Sequence, residues 1–146
     1  MGALATVDFL QKLVMATPAT CDQKHIPLLV RFCPEVPDRV NALLGLGPSP
    51  EPALIAAALT LERGGAQCLV MPCNTAHAWH DAMAKAVSIP LLHIVDAALM
   101  AACQLGNLMR SDCWPLPGLC AALSTRPVLA VMSGGSCPST TSRSSG

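Results

Sequence analysis

Met71-Pro72-Cys73-Asn74-Thr75-Ala76-His77 is the stretch that decides the fold. An apolar run from Cys68 to Met71 is cut by Pro72, and a segment of helical period follows. That order predicts a buried strand whose carboxyl end turns into a helix, the corner at which open α/β sheets place ligands. A thiol at such a corner lies near a helix amino terminus, whose free N–H groups favour thiolate over thiol. Cys73 is therefore the candidate reactive cysteine, and Asn74 and Thr75 beside it are short hydrogen-bonding side chains suited to a carboxylate.

Working outward, strand and helix patterns alternate. Val7, Leu10, Leu13 and Val14 form a helical stripe within Leu4 to Val14, with Pro18 beyond its end. His25 to Phe32 reads as a strand, and Pro34 and Pro37 open a loop that carries Arg39. Gly45, Gly47, Pro48, Pro50 and Pro52 mark a second loop. Leu54, Ala57, Ala58 and Leu61 then recur at helical spacing over Ala53 to Arg63, and the pair Gly64-Gly65 stops that helix. Ala66 to Met71 is the next strand, and Thr75 to Val87 a helix burying Ala76, Trp79, Met83 and Val87. Ile89 to Val95 reads as a strand, and Asp96 as the cap of a helix over Ala97 to Leu105. The alternation predicts an α/β fold with a parallel, doubly wound sheet.

Composition narrows the function classes. Of 146 residues, 52% are hydrophobic and 12% charged, and the formal net charge is zero. The absence of a basic run or interleaved aromatics argues against nucleic acid and anionic membrane surfaces. No apolar run approaches the roughly 20 residues a membrane helix needs. The amino terminus carries no secretory pattern, so the eight cysteines are read as free thiols in a reducing cytoplasm. Cys21, Cys33 and Cys68 are read as small buried apolar residues.

The 71–77 heptapeptide also resembles the first cysteine motif of the aspartate/glutamate racemase family. Met1-Gly2-Ala3-Leu4-Ala5-Thr6-Val7-Asp8-Phe9 is similar to the end of that family's glycine-rich first loop and its following helix. Asp22-Gln23-Lys24-His25-Ile26-Pro27, Val36-Pro37-Asp38-Arg39 and Gly64-Gly65-Ala66 follow in the family's order. The resemblance covers Met1 to about Leu105. It implies a cofactor-independent amino-acid racemase in which two cysteines on opposite faces of the α-carbon exchange a proton. Cys73 would be the catalytic base, with Arg39, Asn74 and Thr75 holding the substrate, aspartate or glutamate. Taken as a residue type alone, Arg39 is a solvated surface arginine; in the family context it is a planar fork for a carboxylate. The resemblance further implies a cytoplasmic enzyme, and pairing as homodimers occurs in the family.

Measured against that family, the first strand and the second half are missing. The later Gly-Cys-Thr-Glu motif with the second catalytic cysteine is absent, which predicts impaired racemisation. The alternative is a non-catalytic remnant that binds small dicarboxylates or a partner through open sheet edges. A third reading, a metal site of Cys73, His77 and His80 on one side of a helix, lacks any paired knuckle, so no metal is expected.

The domain-like part thus spans residues 1–106, and residues 107–146 read as an irregular tail with a disordered end, although Val128 to Met132 has the composition of a strand. Coding arithmetic offers an origin for that tail. Joining the third base of each codon to the first two of the next turns Asp112 to Pro115 into Leu-Leu-Ala, whichever synonymous codons are used. The same shift permits Thr-x-Gly-Thr over the residues that follow, a pattern similar to the opening of the family's second half. A frame slip near Asn107 is the expectation.

Overall fold

The structure, a computed structural model, describes residues 2–105 and 129–133. Helix α1 covers Ala3–Ala16, strand β1 Leu28–Phe32, helix α2 Arg39–Leu43 and helix α3 Glu51–Arg63. Strand β2 is Cys68–Val70, and a 3-10 turn over Thr75–Trp79 leads into helix α4, His80–Ala86. Strand β3 is Leu91–Leu92, helix α5 Ile94–Leu105, and strand β4 Leu129–Ser133. The strands form one sheet in the order β1-β4-β2-β3, and every neighbouring pair runs parallel. The α/β parallel sheet expected from the alternation is what forms.

β4 lies between strands that precede it in sequence. Its register sets Leu28 opposite Leu129 through Phe32 opposite Ser133 on one side. On the other side Cys68, Leu69 and Val70 face Leu129, Ala130 and Val131. Val131 and Met132 are fully buried, as a central strand covered on both faces requires. The strand composition of Val128 to Met132 is thus realised one residue later; residues 106–128 and 134–146, and with them the irregular tail and its disordered end, lie outside the described residues.

Helix α3 is the main support of the sheet. Leu54, Ala57, Ala58 and Leu61 are all buried, so the stripe read from their spacing is the packed face. Pro52 stands in the first turn of this helix rather than in the loop before it, a place where its missing N–H costs nothing. The helix ends in a Schellman pair: Ala66 N–H donates to the Leu61 carbonyl at 3.1 Å and Gly65 N–H to Glu62 at 2.9 Å. Gly65 takes the left-handed conformation this closure needs, φ +90°. At Gly64 a Cβ would come within 3.3 Å of Leu29 Cδ1 and 3.2 Å of the Leu61 carbonyl oxygen, so its bareness lets the helix end close down on β1. The core joins Cys33, Val36, Leu54, Ala57, Ala58, Leu61, Leu69, Met71, Ala76, Met83 and Met132.

Other sequence expectations shift for physical reasons. α1 turns Thr6, Phe9, Leu10 and Leu13 inward, a helical set one residue out of phase with the expected stripe, and Val7 and Val14 stay 51% and 49% exposed. The helix expected over Thr75 to Val87 is divided, because the first five residues wind as a tighter 3-10 turn before α4 begins. The strand expected to reach Val95 stops at Leu92, since Ile94 already belongs to α5. Asp96 consequently lies inside the first turn rather than at the cap, and the His93 carbonyl accepts from Ala97 N–H at 3.2 Å.

Candidate functional site

Three residues convert the end of β2 into the turn that carries Cys73. Proline fixes φ at position 72, and Cys73 N–H folds back to the Met71 carbonyl at 2.8 Å, closing a three-residue turn. Met71 is buried on one side of this turn and Ala76 on the other, so both ends are anchored in the core. Between them Cys73 is half-buried and Asn74 exposed, and Thr75 is half-buried. Among the described residues the Asn74 side chain caps nothing; its backbone carbonyl accepts from His77 N–H at 3.0 Å.

Because the segment after Cys73 is a 3-10 turn and α4 is only seven residues long, the helix amino terminus expected to favour a thiolate is not built at this sulfur. The other described cysteines differ from Cys73 in environment. Cys33 and Cys68 are buried, and burial pushes both thiols up from their ordinary value. That agrees with their reading as apolar core residues. Cys21, in contrast, is exposed.

Arg39 is not the solvated arginine its residue type suggests. It is 6% exposed and opens α2, whose amino end is capped by Asp38 Oδ1 accepting from Asn41 N–H at 2.8 Å. α2 packs against the 75–79 turn, so the arginine and the cysteine loop belong to neighbouring elements. The guanidinium donates from Nη1 to the Pro37 carbonyl at 3.3 Å, and its buried Nε–H has no acceptor among the described residues. Among the described residues no carboxylate pairs with it. A guanidinium taken out of water without a counter-charge is costly, and an incoming anion relieves that cost.

His77 and His80, which the spacing placed on one side of a helix with Cys73, are joined by His93, which it did not identify. His77 Nδ1 is 2.7 Å from the Cys73 carbonyl oxygen, and its Nε2 accepts from Ile94 N–H at 3.1 Å. His80 Nε2 reaches the Leu91 carbonyl at 3.1 Å. The His77 and His80 rings stack at 6.0 Å, and His93 stands edge-on to both at 4.7 and 4.6 Å. Burial lowers the His77 pKa; the Cys73 and Leu92 carbonyls oppose this, while His93 and His80 add to it. These imidazoles face backbone groups, one another and, at His80 Nδ1, the Asp81 carboxylate at 3.3 Å, and no cluster able to hold a metal is present among the described residues. The Cys73, His77 and His80 spacing is therefore that of a hydrogen-bonded buttress. His93 carried no signal in the sequence, because a lone histidine before a helix has no periodic partner.

Comparison with known proteins bears on the family and the fold. Residues 1–109 match the family described as Asp/Glu/Hydantoin racemase. A broad specificity amino-acid racemase, RacX of Bacillus subtilis (strain 168), is 40% identical over 47 residues, covering 32% of this chain and 21% of the relative. The solved aspartate racemase of Picrophilus torridus superposes with a TM-score of 0.66 at 27% identity, over 90% of this chain and 58% of its own. The chain thus spans well under two thirds of the length of each of these relatives. No helix among the described residues is long and apolar enough to cross a membrane.

Proposed function

Because the chain belongs to the Asp/Glu/hydantoin racemase family, we propose that Cys73 is a proton-transferring base at the α-carbon of a small acidic amino acid, aspartate or glutamate, held through its carboxylates. The observation that carries this reading is Arg39: buried, without a carboxylate partner among the described residues, and on the helix packed against the 75–79 turn that follows Cys73. Its planar fork suits a carboxylate, and Asn74 and Thr75 offer further donors beside Cys73 in the chain.

The chemistry follows from what an α-proton needs. That carbon is a weak acid, so abstraction by the Cys73 thiolate becomes feasible only as donors stabilise the charge spreading into the carboxylate. Arg39 supplies a fixed positive charge in a water-poor setting, where it acts more strongly than in bulk water. In this scheme the reacting groups are side chains throughout, without a cofactor or metal. Inversion requires a second proton delivered to the opposite face. Cys33 and Cys68 are buried with thiols that resist ionisation, so neither takes that role. Among the described residues no cysteine is assigned as the second acid, and exchange of the α-proton is the step this scheme predicts.

The test is proton exchange at the α-carbon of L-aspartate and L-glutamate in heavy water, followed by NMR, with Cys73→Ala alongside. Exchange in the wild-type chain that is lost in the variant supports the proposal, and accumulation of the D-isomer would locate a second acid. A folded protein that binds the substrate yet exchanges no proton would replace this reading with that of a dicarboxylate-binding remnant.

A further inference from the structure

We infer that His77 is a positioning residue for Cys73, a neutral strut that ties the cysteine's peptide to the amino end of α5. The inference rests on the reading of Cys73 as the proton-transferring group, and it begins from two hydrogen bonds. A backbone carbonyl only accepts, so the contact of 2.7 Å between Nδ1 and the Cys73 oxygen requires the proton on Nδ1. A backbone N–H only donates, so the contact of 3.1 Å from Ile94 requires a lone pair on Nε2. One tautomer satisfies both, and an imidazolium would turn an N–H toward the Ile94 N–H. Burial, which disfavours the charged ring, acts in the same direction.

The two anchored points lie far apart in the chain. Cys73 ends the turn after β2, while Ile94 opens α5 beyond β3. His80 makes a parallel tie to the Leu91 carbonyl, and His93 packs edge-on against both rings. The 3-10 turn alone gives Cys73 little rigidity, since it is one short winding between two core anchors. The strut adds a third fixed point at the carbonyl group bonded to the reacting residue's Cα. Its function is to hold the thiol's direction, while substrate affinity is left to Arg39.

The experiment compares wild type with His77→Ala, His77→Asn and Ile94→Pro. Asparagine keeps a donor near the Nδ1 position; proline removes the Ile94 donor at the first helical position, where it is tolerated. Two readouts are taken: steady-state α-proton exchange, split into kcat and KM for aspartate, and iodoacetamide labelling of Cys73 resolved by peptide mass spectrometry, with exposed Cys21 as internal control. The expected result is a fall in kcat of about 10- to 100-fold for His77→Ala with KM nearly unchanged, the size of effect that a misplacement of about 1 Å produces. Labelling of Cys73 changes several-fold while Cys21 does not, Ile94→Pro lies between alanine and wild type, and His77→Asn recovers most of both readouts. Equal behaviour of asparagine and alanine, or a Cys73 labelling rate indifferent to all three changes, would overturn the inference. Should His77→Ala fail to fold, Ile94→Pro and His77→Asn still decide it. Absence of exchange in wild type removes the catalytic reading alone, because the labelling arm reports on the strut without any turnover.

Discussion

Replacing Arg39 with methionine should raise the stability of the ligand-free protein and abolish its response to dicarboxylates. The side chain is 6% exposed, donates to the Pro37 carbonyl at 3.3 Å, and leaves its Nε–H without an acceptor among the described residues. Losing the Pro37 bond costs about 0.5–1.5 kcal/mol, whereas removing a buried unsatisfied donor relieves about 1–3 kcal/mol. The methionine stem fills most of the same path, so the balance favours the variant by about 1 kcal/mol. For a chain of this size that is a rise in Tm of about 4 °C. The order should reverse with an anion present. A dicarboxylate such as malonate at about 100 times its Kd stabilises the wild type by about 2.7 kcal/mol and leaves the variant unmoved. Thermal unfolding in low-salt buffer, with and without malonate or aspartate, measures all four states. A variant less stable than wild type under both conditions would refute the reasoning, for Arg39 would then be a structural residue already satisfied by its surroundings.

Two further outcomes follow from the packing. Met132→Ala in the buried centre of β4 should cost about 2–5 kcal/mol, read from urea unfolding, and a loss below about 1 kcal/mol would mean that β4 is not packed into the sheet. Glu62 Oε1 accepts from Ser88 N–H at 2.7 Å and from Ser88 Oγ, bonds that hold its carboxyl below the usual carboxylate range. A depressed folded pKa gives stability that is present above the unfolded value of about 4.3 and lost as pH falls through the folded one. Wild type should therefore exceed Glu62→Gln in stability at pH 7, and the two should converge at pH 3. A gap that does not change with pH would sink the assignment, since the His77 contribution is common to both proteins.

The parts legible in the sequence were those governed by neighbours a few residues apart. Leu54, Ala57, Ala58 and Leu61 form the buried face of α3 as their spacing required, and Gly64-Gly65 closes that helix. Pro72 likewise announced the turn after β2. Strand order was not legible, because the placing of β4 between β1 and β2 depends on contacts between residues far apart in the chain. The phase of α1 was misread since Thr6, the one buried side chain of that helix, is polar and carries no hydrophobic signal. In the site, the residue types of Cys73 and Arg39 could be read and their settings could not. Burial of Arg39 depends on α2 meeting the 75–79 turn, and the imidazole buttress depends on ring orientations that no spacing encodes.

The position of β4 in the sheet has a consequence for how the molecule comes into being on the ribosome. β1, β2 and β3 emerge first, and until residues 129–133 have been synthesised β1 and β2 lack the strand that joins them. Closure of the sheet therefore waits on its last strand, a long-range step that is slow by nature. During that interval two unpaired parallel edges and the apolar side chains destined to cover Val131 and Met132 are open to association with other chains.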